Sequence, residues 1–458
     1  MMRLSWSRGL GAIASLIALT AAACSVGDDP EPRPAMEPEG RPNVLIVLTD
    51  DQRADGTLEV MPSLRRLYGE RGTTFVNAYA TTPLCCPSRA SIFSGRYAHN
   101  HEVLKNTQPE LLDQSSTMQR YLSEAGYRTG FVGKYFNAWD LSVDPAHFDR
   151  WSITKAGYYG AEYNVDGELR SIGKYATHYM RDTAFEYLEQ FETQGDEDPW
   201  LLFVSTTAVH KPEKPEPKYA DADIPRWEPN PAVTEEDVSD KPPIPDRGLS
   251  PEEGAALRER QLRTLMTVDD VVAELDAKLE EMDEGNTLAI FVSDNGHSWG
   301  EHHFTGKRLP YVESVKIPLL MRWPARVEEG VEDDRLVANV DLLPTVLDAL
   351  DLEPDLEYPL DGRSLIEGSR RNELLLEQWG NYNKGLPDWA SLVTPEGQYV
   401  EYYRREGRVS FREYYDLLED PWQLENLIGD GRPGDVPSLD KLSDRLRRYR
   451  RCAGPRCP

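Results

Sequence analysis

Positive charge is scarce in this chain: 51 Lys and Arg stand against 79 Asp and Glu, a formal net charge of −28. Such a surface excludes general binding of DNA or RNA, which needs a broad basic face. It also repels anions, so any anion site must be locally positive. Cysteine is nearly as scarce, with five in 458 residues. Cys452 and Cys457 flank a short Gly-Pro loop and could pair in an oxidising compartment. Cys85 and Cys86 are adjacent, and neighbouring cysteines rarely bond each other because the ring is strained. At least one of that pair is therefore no structural staple. The apolar run from Leu10 to Leu19 is too short for a comfortable membrane span. No internal repeat is visible.

What is present is enough for a real core. Hydrophobic residues make up 39% of the chain, and its length allows one large α/β domain plus a smaller one, or two to three ordinary domains. Residues 1–23 read as an export signal: Arg3 and Arg8, the apolar run, then Ala21-Ala22-Ala23. Cys24 follows at once, an arrangement that resembles a bacterial lipoprotein signal with Cys24 as lipid acceptor; ordinary secretion with an incidental cysteine is the alternative. Residues 25–41, rich in proline and acid, read as a flexible tether.

Asn43 to Asp50 (NVLIVLTD) has the continuous apolar run of a strand buried on both faces of a parallel sheet. Similar runs recur at 128–134, 200–206, 287–294 and 316–321. Between them, Leu262, Leu265, Met266, Val272, Leu275 and Leu279 recur at mostly helical spacing. Alternating strands and helices predict an α/β sheet with helices on both faces. Residues 211–254, full of proline and acid, read as a long surface insertion on the substrate side. After about residue 366, short antiparallel strands are expected at 390–393, 399–404 and 411–417. A final amphipathic helix follows, with Leu439, Leu442, Leu446 and Tyr449 inward and Arg445, Arg447, Arg448, Arg450 and Arg451 outward. Such a basic helix end is ordinarily a solvated face favoured by the helix dipole; polyanion binding is the other reading.

Asp50 and Asp51 end the first strand. In a continuing strand they would face opposite ways, but a turn there lets both carboxylates converge. Asp294 and Asn295 end another predicted strand, and ligand sites in open α/β sheets lie beyond the carboxyl ends of strands. Three carboxylates and an amide oxygen are hard ligands that suit Ca²⁺ or Mg²⁺ rather than zinc or copper. Separate capping and turn roles for each acidic pair are the alternative.

Residues 85–96 read CCPSRASIFSGR. This resembles the type I sulfatase signature at every specified position: C-x-P-S-R, three free positions, a hydrophobic residue, a small polar one, Gly and a basic one. The likeness continues through LTDDQ (48–52), GFVGKY (130–135), VHKP (209–212), SDNG with GEH (293–302), GKRLPY (306–311) and YYDLLEDPWQLENL (414–427), in family order over roughly 42–430. The paired cysteines with the GKYFN and GKRLPY stretches look most like the branch of N-acetylglucosamine-6-sulfatases.

The resemblance implies an alkaline-phosphatase-like, mostly parallel α/β sheet flanked by helices in a catalytic domain at 42–365, with a smaller antiparallel C-terminal subdomain at 366–458. It implies that a formylglycine-generating enzyme oxidises Cys85 to formylglycine (3-oxoalanine), Cys86 being the variable position. Of the two hydroxyls of the hydrated aldehyde, one attacks sulfur, and the other then loses its proton and expels sulfate. The implied metal is Ca²⁺ ahead of Mg²⁺, held by Asp50, Asp51, residue 85, Asp294 and Asn295. Arg89 would hold the hydrate, Lys134 and Lys307 the sulfate. His210 is the candidate general acid, with Lys307 the competing choice. Many family members carry a histidine two residues after the first lysine to trigger release; here Phe136 and then Asn137 stand there, leaving His297 or His302 as substitutes. A metal with Lys134, Lys307 and Arg89 would outweigh the three carboxylates and make the pocket positive inside an acidic protein. The expected partner is a sulfated carbohydrate or small sulfate ester, in a secreted or cell-surface protein that meets a membrane only through the Cys24 anchor. Two rivals stand: a phosphomonoester or phosphonate monoester hydrolase on the same scaffold, and a surface carbohydrate-binding protein whose Cys85 is never modified.

Overall fold

A computed structural model describes residues 40–458 except 195–197, 246–247, 369, 381, 383–384 and 430–435. The expected export signal, Cys24 and the expected tether up to residue 39 lie outside the described residues. The central sheet has ten strands: β1 (Asn43–Asp50), β2 (Thr73–Phe75), β3 (Arg128–Lys134), β4 (Arg150–Thr154), β5 (Ala161–Val165), β6 (Glu168–Ile172), β7 (Trp200–Val209), β8 (Thr287–Ser293), β9 (Leu319–Arg322) and β10 (Val331–Asp333). Their order is β10-β2-β9-β8-β1-β7-β3-β4-β5-β6. The inner five, β8 to β4, run parallel. The flanks turn antiparallel at β9 and again at β5.

β1 is buried along its whole length, as a two-faced central strand must be. Its alternate residues serve different cores. Val44, Ile46 and Leu48 pack on the side of the helices α1 (Cys85–Ser94) and α5 (Leu342–Ala349). Leu45 and Val47 pack on the side of α3 (Ala176–Gln194) and α4 (Pro251–Glu281). The helix expected around 262–279 is longer than its apolar spacing because Ser250 and Glu253 form a capping box that starts it early. The run expected at 316–321 begins as a strand only at Leu319, since Val312–Val315 is a short helix that Lys316 closes.

All ten residues of α1 are buried, so it has no solvent face. It ends at Gly95, with φ of 65°, where a Cβ would come within 3.0 Å of Leu360 and 3.2 Å of Leu343. Phe93 anchors it among the rings of Phe131, Tyr135, Phe136 and Phe203, with centroids 5.3–6.2 Å away. Phe93→Ala is expected to cost about 3–5 kcal/mol, read as a lower urea midpoint.

The C-terminal part forms a separate antiparallel sheet, β11 (Leu374–Gln378), β12 (Asp388–Val393), β13 (Gly397–Tyr403) and β14 (Val409–Asp416), with α6 (Leu439–Tyr449) packed on it. The DLLEDPWQLENL segment is structural: Gln423 accepts Val312 N–H at 2.8 Å and donates to Gln398, while Asn426 donates to Asp240 O and Arg412 O. Cys452 and Cys457 form a disulfide.

The disulfide loop docks beside the short helix α2 (Ala98–His101). His99 Nδ1 lies 2.8 Å from a Glu377 carboxylate oxygen and its Nε2 3.0 Å from Cys452 O. Both partners only accept, so the ring must donate twice, as an imidazolium. Burial pushes this histidine's pKa down, but Glu377 and the Cys452 carbonyl outweigh it and the net shift is upward. Stability from this contact is full below the ordinary histidine range and is lost as pH rises through the raised value. His99→Gln should therefore destabilise by about 1–3 kcal/mol near pH 6 and much less near about pH 9; urea midpoints at the two pH values check it.

Candidate active site

The site lies at the carboxyl ends of β1, β7 and β8. Asp294 N–H donates to Thr49 O at 3.0 Å, joining two strand ends. The chain then turns: Asp51 has φ of 68°, a left-handed conformation strained for a residue with a side chain. Its own N–H is held by Asp294 Oδ1 at 3.1 Å. Arg53, two residues on, is buried against Glu301 (2.7 Å) and the Trp299 ring (4.2 Å), which ties the turn to the loop after Asn295. The turn brings the ligand atoms together: carboxylate oxygens of Asp50, Asp51 and Asp294 and the Cys85 sulfur lie within 4.8 Å of one another, all buried.

Asn295 completes the set. Its Nδ2 donates to Asp51 Oδ1 (2.8 Å) and Gly296 O (2.9 Å), which leaves Oδ1 buried without a partner. An unsatisfied buried oxygen costs about 1–3 kcal/mol, and a cation would take it. Three carboxylates and one orphaned amide oxygen are the chemistry of a hard divalent cation, so the residues fit Ca²⁺ or Mg²⁺.

Each carboxylate also has a cationic neighbour. Lys134 bonds Asp50, Lys307 bonds Asp51, and Arg89 Nε lies 2.9 Å from Asp294 Oδ2. Lys307 Nζ is also 2.8 Å from the Cys85 sulfur. Arg89 sits one turn along α1 from Cys85 and is braced by Lys134 O (2.6 Å) and Ser205 Oγ (2.8 Å); its Nη2 is buried and unpartnered. That bracing needs Gly133, whose φ is 108° and whose Cβ would fall 2.0 Å from Ser205 O.

Burial pushes Asp50 up, but Lys134, His210, Lys307 and Arg89 together outweigh it, so Asp50 ends well below the usual carboxylate range. Asp51 also ends lowered, burial and Asp50 being outweighed chiefly by Lys307. Asp294 is pushed up by burial and by Asp50, in spite of Arg89. Burial opposes the charge of Lys134 and Lys307, yet their carboxylate neighbours keep both raised and cationic. Burial pushes the Cys85 thiol up to about 12, more than Lys134 and Lys307 lower it.

His210 stands at the rim, its Nε2 4.0 Å from Asp51 Oδ2. Its Nδ1 donates to Lys211 O at 2.8 Å, and Tyr158 holds the His210 carbonyl at 2.9 Å, so Nε2 is the nitrogen left to the pocket. His297 borders the cluster: burial lowers its pKa, with Asp51 and Lys307 as its next strongest influences. His302 is held elsewhere, by Glu235 at 2.7 Å and against the Tyr311 ring. Phe136 is fully buried among Phe93, Tyr135 and Trp139 and can carry no proton.

Two residues of the site escaped the sequence reading. Ser205 braces Arg89 from β7. Asn106 caps α1 from a distant loop: Leu84 offers no side-chain cap, and Cys86 N–H donates instead to Asn106 Oδ1 at 2.9 Å. Cys86 itself turns its sulfur away from the carboxylates, to Asn137 and Asn106.

The sulfatase family profile matches residues 42–352, and a profile described as N-sulphoglucosamine sulphohydrolase, C-terminal, matches 300–451. The N-acetylglucosamine-6-sulfatase of Homo sapiens is 29% identical over 478 residues, 91% of this chain and 86% of the relative. An extracellular sulfatase Sulf-1 homolog of Caenorhabditis elegans is 32% identical over 358 residues, 71% of this chain and 48% of the relative, so the match spans about half of that relative's length. A solved structure of a protein in complex with its substrate, D-glucosamine-2-N,6-O-disulfate, superposes with a TM-score of 0.72 at 23% identity, over 89% of this chain and 97% of the other. Fold, signature and profile agree: the chain belongs to the sulfatase family.

Proposed function

We propose that the protein hydrolyses sulfate esters on a carbohydrate, with formylglycine at position 85 and a divalent cation, Ca²⁺ ahead of Mg²⁺. The observation that carries this reading is a buried Cys85 among three carboxylates, three cations and an orphaned amide oxygen. Burial pushes the Cys85 thiol up, and the signature around it supports conversion of position 85 to formylglycine. As a hydrated aldehyde it supplies one hydroxyl to attack sulfur and a second whose deprotonation releases sulfate. The cation supplies polarisation of the sulfate oxygens and stabilises a deprotonated nucleophile.

The chain's own residues do the rest. Arg89, with Nη2 unpartnered, orients the group at position 85. Lys134 and Lys307 hold sulfate oxygens and balance the charge that spreads over them. His210 holds a proton at Nε2 for the leaving oxygen, while its Nδ1 bond to Lys211 O fixes the ring. Lys307, beside the Cys85 sulfur, is the competing donor. His297 is the favoured base for sulfate release, because it borders the cluster while His302 is engaged with Glu235. His297→Ala should release about one equivalent of phenol from an aryl sulfate quickly and then turn over slowly; unchanged steady-state turnover rejects this role.

The relatives' printed names support a sulfated amino sugar as substrate and an extracellular location. The catalytic domain is assigned to 42–365 and the C-terminal subdomain to 366–458, with export through residues 1–23 and a lipid anchor at Cys24. Matched aryl sulfate and aryl phosphate assays test the reaction, using protein matured with a formylglycine-generating enzyme. Sulfate hydrolysis is expected to dominate, and a large phosphate preference would overturn the choice.

A further inference from the structure

We infer that the last turns of α6 and the β13–β14 hairpin form an exosite for a sulfated polysaccharide chain, so that the substrate is polymeric. The inference rests on the carbohydrate sulfatase reading and adds to it where the rest of the chain is held.

From Leu439 to Pro458 the chain carries seven Lys and Arg against two Asp, within a protein of net charge −28. The hairpin at 404–408 adds three arginines against Glu406. Arg450 joins the two groups: its guanidinium lies 4.1 Å over the ring of Tyr403, the last residue of β13. Leu442 and Leu446 of α6 are buried, while Arg447, Arg448 and Arg451 face outward, as do Arg404 and Arg408.

Part of this charge packs on the fold, Arg450 over Tyr403 and Arg405 over Tyr382, but the arginines that make its buried or half-buried ion pairs are others: Arg445 bonds Glu373, Arg412 pairs with Glu401, and Arg371 pairs with buried Asp341. Arg448 and Arg451 have no carboxylate partner among the described residues. The pairs Arg447–Asp444 and Arg408–Glu406 are exposed surface pairs of small worth. Clustered outward arginines that few carboxylates neutralise are suited to a ligand that does.

The chemistry narrows that ligand. The face is built from arginine, with Lys441 the one lysine of α6, and guanidinium forks bind sulfate and carboxylate oxygens in pairs. A membrane surface would want apolar side chains among the cations. The exposed large hydrophobics, such as Val76, Leu169 and Leu418, lie on neither α6 nor the hairpin. The face neighbours the end of α1 opposite Cys85. Arg451 precedes Cys452, whose carbonyl accepts from His99 and Asn100 just beyond α1.

The test compares the full chain with Arg404→Glu/Arg448→Glu/Arg451→Glu on immobilised dextran sulfate, on uncharged dextran and on vesicles containing anionic phospholipid. Hydrolysis of a small aryl sulfate and the Tm are measured on the same proteins. The wild type should be retained on dextran sulfate alone and released by salt. The variant should bind it at least about tenfold more weakly, with unchanged kcat and KM on the aryl ester and an unchanged Tm. Equal retention of both proteins, or wild-type binding to vesicles in place of dextran sulfate, would overturn the exosite while hydrolysis stayed intact. A wild type that never hydrolyses the aryl sulfate would instead remove the catalytic reading on which the exosite rests.

Discussion

Cys85→Ala should lower kcat/KM for an aryl sulfate by about 10⁴-fold or more, because no neighbouring group can replace the nucleophile. Cys85→Ser should be similarly inactive in turnover, since a lone hydroxyl has no geminal partner to expel sulfate. Cys86→Ala is the matched control. Its sulfur bonds Asn106 and Asn137 rather than the carboxylate cluster, so about 1 kcal/mol of stability is at stake and little activity. Peptide mass spectrometry of mature protein should find position 85 changed by one oxygen in place of one sulfur and two hydrogens. Unmodified cysteine throughout, with Cys85→Ala as active as wild type, would leave the rival carbohydrate-binding role in possession.

Removal of divalent cations is the second large effect. A chelator should abolish aryl sulfate hydrolysis, and Ca²⁺ should restore it better than Mg²⁺. A readout independent of turnover comes from stability. A ligand at about a hundredfold over its Kd adds about 2.7 kcal/mol to folding, so Ca²⁺ should raise the Tm of the metal-free protein. Asp51→Asn should lose that rise because it removes one charge from the ligand set. Asp294→Ala should do more damage: it strips Arg89 of its carboxylate in a fully buried site, a loss of about 3–5 kcal/mol. Full activity after chelation, or an equal Ca²⁺-induced Tm rise in Asp51→Asn, rules out this cation site.

The elements most legible in the chain were those with a strong local pattern. β1 announced itself as an eight-residue apolar run, and α6 by leucines one turn apart. Strand β11 was missed although it is buried throughout, since five residues beside Gly and Asn give no period to read. The β5–β6 hairpin was missed for the opposite reason: β6 is polar and largely exposed, held by its ladder to β5 rather than by burial. Lys316 looked like the start of a strand, but it closes a short helix whose end is held by the distant 78–80 segment: Ile317 N–H donates to Ala78 O and Ala80 N–H to Val315 O.

The signature around Cys85, the acidic strand ends and the arginine-rich last helix are facts of residue order, legible wherever the chain goes. Their meeting is not. Asp51 turns inward only because Asp294, 243 positions away, accepts its N–H. Asn295 Oδ1 is orphaned only because Asp51 and Gly296 use its amide nitrogen, and Asn106 reaches the start of α1 from a separate loop. Local propensity acts over a few residues. A cation site needs side chains from two strand ends and a helix placed to within an ångström, and only close packing of distant segments supplies that precision.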